Sequence, residues 1–239
     1  MNVKIKIANT KAQRLYLLGV VSGHGSFPPA SAKERQVLQK RLGRRTPQKL
    51  PSSYDTFIAL KESLLFQRIE FREIVRGTEA VLTPKAISIF SEQKALRLQK
   101  SLRILFIRHA ERIDSFFRAQ GISMRPLTVF ILPGFGERGE ALSKSVVIGD
   151  TMNSSVAMAI ALEELLHIGV HSWQKRHTIL NRLQISDEKL ADEALVGALL
   201  CMLLRELKYS KKLVDSVVFG WHGGERRRFV EKIITKQYI

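Results

Sequence analysis

The stretch Ala161-Leu162-Glu163-Glu164-Leu165-Leu166-His167-Ile168-Gly169-Val170-His171 decides how this chain is read. It lies within a long run of Ala, Leu and Ile, so two Glu and two His stand out against an apolar background. On a helix, Glu163, His167 and His171 follow one another at four-residue spacing and share a face, while Glu164 lies about 100° around the axis. Carboxylate and imidazole one turn apart on one face form the ligand pattern of a divalent cation. A helix is expected over residues 150–173, with Thr151, Asn153 and Ser154 as candidate caps.

Upstream of this helix, Arg125-Pro126 introduces Leu127-Thr-Val-Phe-Ile-Leu132, a buried strand by its β-branched and aromatic content. Residues 133–139 are rich in Gly and read as a turn, and residues 143–149 as a second strand joined to the first by an extended hairpin loop. Downstream, a further helix is expected over residues 188–207, then a strand or helix over 212–219, a loop around Trp221-His222-Gly223-Gly224 and a basic helix over 226–236.

Towards the N-terminus, residues 3–7 alternate as a strand and residues 14–21 as another. Ser31 and Glu34 form a capping box for a short basic helix ended by Gly43. Residues 44–51 are a basic connector broken by two prolines, and a helix is expected over 52–67. Residues 52–92, with a two-strand ribbon between helices, resemble part of a winged-helix module. One or two amphipathic helices follow over 91–120, where His109 reads as a packing or surface residue.

Composition bounds the rest. The chain of 239 residues is 45% hydrophobic and 26% charged, a globular balance able to bury a sizeable core. The single Cys201 excludes an intramolecular disulfide and a zinc site built from cysteines. No apolar run is long enough to span a membrane, and a cytoplasmic protein is expected. The net charge of +17 is uneven: residues 1–50 carry +10, whereas residues 151–200, which hold the His/Glu cluster, carry −2. Basic ends suit contacts to phosphate, so Arg35, Lys40, Arg41, Arg44, Arg45, Arg226, Arg227 and Arg228 are candidate nucleic-acid ligands. A solvated basic surface accounts for them equally well.

Taken together, strand 127–132, strand 143–149, the Glu/His helix and the Glu-bearing helix that follows resemble the core of zincin-like metallopeptidases of the gluzincin kind. In that family the helix carries His-Glu-x-x-His, and a Glu on a later helix is the third zinc ligand. The matching pentapeptide is Glu163-Glu164-Leu165-Leu166-His167, so Glu163 stands where the family has His. The resemblance implies Glu164 as the catalytic base and His167 as a metal ligand. It places Glu193, in Ala191-Asp192-Glu193-Ala194-Leu195, at the third-ligand position. Two carboxylates and one imidazole form a harder set than the family's, one that tolerates Mn²⁺ or Fe²⁺ as well as Zn²⁺ and leaves the ion a poorer Lewis acid.

His171 offers a second arrangement, in which it pairs with His167 and the catalytic design is lost. His222 is either a donor to the transition state or a turn residue beside Trp221. The expectation is an α+β, mostly helical protein with a basic accessory region over 1–120 and a zincin-like domain over 121–239. Its activity would be metal-dependent hydrolysis of a peptide or protein substrate. The alternatives are a nucleic-acid-binding protein without enzymatic activity and a zincin-like scaffold without catalysis.

Overall fold

The computed structural model describes residues 3–9, 12, 13, 16, 61, 65, 92–123, 127–133, 136–151, 153–185, 187–220 and 224–236. Among them are four strands, β1 (Val3–Ile7), β2 (Leu127–Leu132), β3 (Gly139–Ala141) and β4 (Ser145–Gly149). Six helices accompany them: α1 (Glu92–Gln120), α2 (Ser154–His171), α3 (Arg176–Leu183), α4 (Glu188–Glu206), α5 (Lys211–Phe219) and α6 (Gly224–Thr235). The α+β, mainly helical expectation is met. No described helix is long and apolar enough to cross a membrane.

The sheet has the order β1-β2-β4-β3. β1 runs parallel to β2, and β2 parallel to β4, with Val129 opposite Ile5 on one side and Val146 on the other. β3 alone is antiparallel, pairing Glu140 with Val147. All residues of β2 and β4 are buried, which explains why their sequences are continuous apolar runs rather than alternating ones.

Two sequence expectations change here. The expected β2–β4 hairpin does not exist, because the chain passes β4's position, forms β3 at the edge, and returns through Leu142–Ser145 to place β4 between β2 and β3. Residues 139–141 are thus a strand and not part of a turn. Three residues with a glycine are too short to show a period-two pattern. Of the expected strand over 14–21 only Tyr16 is described, and it is helical; the other residues of that stretch lie outside the described residues. The winged-helix resemblance falls largely outside the described residues.

Helices α1 and α2 pack against each other, α1 over β1 and β2 and α2 over β3 and β4. The accessory region expected over 1–120 is therefore not separate throughout, because β1 and α1 share one core with the residues beyond 120. Trp173, just after α2, donates its indole N–H to the carbonyl of Gln120 at 2.7 Å and ties the ends of α2 and α1 together.

Helix α2 starts at Asn153, whose side chain accepts from the N–H groups of Ser155 and Val156. It is apolar almost all round because it is enclosed by the sheet on one side and α4 on the other. Helix α4 is similarly enclosed, packing against α2, α5 and α6. Asp187 caps it at Leu190, and its Asp192 forms a two-pronged ion pair with Arg176 of α3 at 2.8 and 2.7 Å. Polar side chains on facing turns of α2 and α4 are consequently confined to a small space, and that is where the site lies.

Candidate metal centre

Glu163 and His167 lie one turn apart on α2, on the side that meets α4, and Glu193 comes from the second turn of α4. Each offers one ligand atom, and these atoms lie within 4.8 Å of one another. His167 Nε2 is 3.8 Å from Glu193 Oε2. Three residues expected from the sequence as metal ligands, from two helices, thus meet in one group that could hold a metal ion. Glu163 is buried at 4% exposure, and His167 and Glu193 are partly open. His171, the alternative ligand, lies exposed one turn further along α2 and outside the group. His222 lies outside the described residues.

A fourth side chain enters the group. Arg226, on α6, is 2% exposed, and its Nη2 donates to Glu163 Oε1 at 2.7 Å. The same nitrogen is 3.8 Å from Glu193 Oε2, and Nε donates to the Glu193 carbonyl at 3.0 Å. Its Nη1 is buried without a hydrogen-bond partner among the described residues. The approach is permitted by Gly197 on α4, where a Cβ would lie 3.2 Å from both Nε and Nη2 of Arg226 and 3.0 Å from Val230 Cγ2. The sequence expectation that Arg226 contacts phosphate is therefore corrected: its guanidinium is spent inside the protein. Arg227 and Arg228 are exposed, with Arg227 paired to Glu231 at 2.9 Å and stacked on the Phe219 ring. Arg35, Lys40, Arg41, Arg44 and Arg45 lie outside the described residues.

Glu164 faces the sheet. Its carboxylate accepts a hydrogen bond from the Ala141 N–H in β3. Burial lifts its carboxyl well above the usual carboxylate range, and the nearby Glu163, Glu140 and Glu193 carboxylates add to the rise, against the Ala141 hydrogen bond. Gly139 makes this placement sterically feasible. A Cβ there would lie 2.5 Å from Glu164 Oε1, 2.7 Å from its Cγ and 2.6 Å from Ile160 Cγ2. Gly139→Ala is expected to push Glu164 off the Ala141 N–H and to cost about 1–3 kcal/mol, read by chemical denaturation.

On β3 itself, Glu140 accepts a hydrogen bond from the Tyr16 hydroxyl at 2.6 Å and pairs with the Lys61 ammonium. Lys61 lies 5.3 Å over the Tyr16 ring. Neither Glu140 nor its two partners was singled out in the sequence, where they are separated by 79 and 124 positions. Arg226 and Gly197 were legible only in part. A glycine inside a helix-like run costs about 1 kcal/mol and signals close packing, but one Arg of three in a row carries no mark of burial.

The groove lined by Val3, Lys4, Ile5, Lys6, Arg103 and Phe106 lies at β1, across the sheet from β3 and away from this group. A scan against protein-family models, a search of curated proteins and a search of solved structures each return no match for this chain.

Proposed function

We propose that the protein is a metal-dependent hydrolase of the zincin-like kind, acting on a peptide or protein substrate. The observation that carries this reading is the convergence of Glu163, His167 and Glu193 donors within 4.8 Å, with Glu164 beside them against an edge strand. The donor set fits a divalent ion by its chemistry: two carboxylates and one imidazole suit Zn²⁺, with Mn²⁺ or Fe²⁺ accommodated. When bound there, such an ion supplies Lewis-acid polarisation of a carbonyl and acidifies water.

The chain's own residues account for the remaining roles. Glu164, held between Gly139 and the Ala141 N–H, is placed to take a proton from water and return it to the leaving amine. Among the described residues β3 pairs only with β4, so its outer edge can hold an extended peptide by main-chain hydrogen bonds. That role was expected of residues 143–149, but β4 is flanked on both sides, and the role passes to β3.

Elemental analysis of the purified protein tests the proposal. One divalent ion per chain is expected, lost in His167→Ala, and Glu164→Gln is expected to keep the ion while peptide hydrolysis falls by at least about 10²-fold. Protein without stoichiometric metal overturns it. A second reading, a scaffold of this kind without catalysis, is favoured by one observation: Arg226 already supplies positive charge to Glu163 and Glu193. That reading gains if the metal analysis fails while the protein remains folded.

A further inference from the structure

The group formed by Glu163, His167 and Glu193 has a charge imbalance that the fold answers from a distant helix. By formal charge the three donors total −2, with Glu163 nearly inaccessible to water and Glu193 and His167 partly open. Arg226 brings one positive charge, fixed on both sides: to Glu163 Oε1 at 2.7 Å and to the Glu193 carbonyl at 3.0 Å. The set including Arg226 totals −1. The guanidinium engages Oε1 of Glu163 and so offsets that carboxylate's charge.

Resting on the metal-centre reading, we propose that Arg226 is a positioning residue that sets the charge of this centre and so its affinity for divalent ions. Three features of the structure support it. Arg226 is buried at 2% exposure, so its field is little screened by solvent. Its Nη2 lies between the two carboxylates, 2.7 Å from one and 3.8 Å from the other. Gly197 leaves the guanidinium a path that any Cβ would crowd. Nη1, buried without a hydrogen-bond partner among the described residues, is the cost of this placement.

A charge ladder tests the inference. Counting the three donors and Arg226, the wild type carries −1, Arg226→Met −2, Glu163→His zero, and the double variant Glu163→His/Arg226→Met −1 again. Affinities for Zn²⁺ and for Mn²⁺ are measured by competition against a chromogenic chelator, with thermal melts run in parallel to verify folding. Arg226→Met is expected to bind both ions at least about tenfold more tightly than wild type, and Glu163→His at least about tenfold more weakly. The double variant is expected to bind each ion at least about tenfold more tightly than Glu163→His.

Using two ions separates charge from donor preference: the charge effect moves both in the same direction, whereas exchanging carboxylate for imidazole favours Zn²⁺ over Mn²⁺. A double variant no tighter than Glu163→His, or Arg226→Met binding no tighter than wild type, overturns the inference while the metal-centre reading stands. If Arg226→Met fails to fold, the comparison of Glu163→His with the double variant decides alone. Wild-type protein that binds neither ion overturns both.

Discussion

Lys61→Met is expected to lower stability by about 3–5 kcal/mol near neutral pH, because it leaves the Glu140 carboxylate in β3 without its buried counter-charge. The Lys61 side chain has no solvent exposure and the Glu140 side chain 12%, so water cannot replace the lost partner. Glu140 would keep only the Tyr16 hydroxyl as a hydrogen-bond donor from this pair of residues. Replacing both groups, in Lys61→Met/Glu140→Gln, is expected to recover most of the loss, since apolar and neutral groups tolerate the site that a lone charge does not.

The deficit also carries a pH signature. Burial raises the Glu140 carboxyl above its ordinary range, with Lys61 and Tyr16 opposing the rise. A carboxyl whose folded pKa exceeds its unfolded value contributes stability that is fully present below the unfolded pKa and is lost as pH rises through the folded one. Lys61→Met removes the main opposing charge and pushes the folded pKa further up. The gap to wild type is therefore expected to be small at about pH 4 and to widen as pH rises towards about pH 8. Guanidinium denaturation at both pH values checks this; a gap that does not change with pH would show that Lys61 acts through packing alone.

Gly149→Ala is the second large effect. At the end of β4, a Cβ would lie 1.9 Å from the Gly136 carbonyl oxygen and 2.7 Å from its carbon. Those are backbone atoms, so no rotamer change relieves the overlap. The Gly149 N–H also donates to the Arg138 carbonyl at 2.8 Å, which joins this end of β4 to the residues leading into β3. Relief thus requires the 136–139 segment to move, and with it Gly139, against which Glu164 rests. A loss of at least about 3 kcal/mol is expected from this overpacking, measured as a fall in the denaturation midpoint. By contrast with Gly139→Ala, where one clash is with the end of a flexible side chain, the loss here is expected to be the greater.

The two variants also separate what β3 does for the fold from what it does for the site. Lys61→Met acts on the side chain of Glu140, whereas Gly149→Ala acts on the backbone that carries it. Under the proposed hydrolase reading, with β3 positioning Glu164, Gly149→Ala protein that remains folded should also show weakened hydrolysis, while the Lys61→Met/Glu140→Gln pair should affect stability more than turnover.

Much of the site was legible in the sequence because helix periodicity is local. Four-residue spacing placed Glu163 and His167 on one face, and an apolar run around them required that face to be enclosed. The resemblance to the zincin-like core then singled out Glu193, and the fold brings it to 3.8 Å from His167. Strand β1 was readable from its alternation and β2 and β4 from their apolar content, and the helices that carry the candidate ligands were readable too.

Tertiary structure alone decided the rest. Whether β2 and β4 pair as a hairpin or lie parallel depends on where the connection goes, and the three residues of β3 are too few to show a pattern. Which of three adjacent arginines is buried depends on the crossing of α6 over α4, where Gly197 meets Arg226 of the other helix, a contact that leaves no periodic trace. The Glu163–Arg226 pair spans 63 positions, and the Glu140 partners lie 79 and 124 positions away. Sequence by itself determined which residues can share a helix face, because that is fixed within one turn of backbone. The charge those residues face is a property of packing between distant elements, and only the folded chain fixes it.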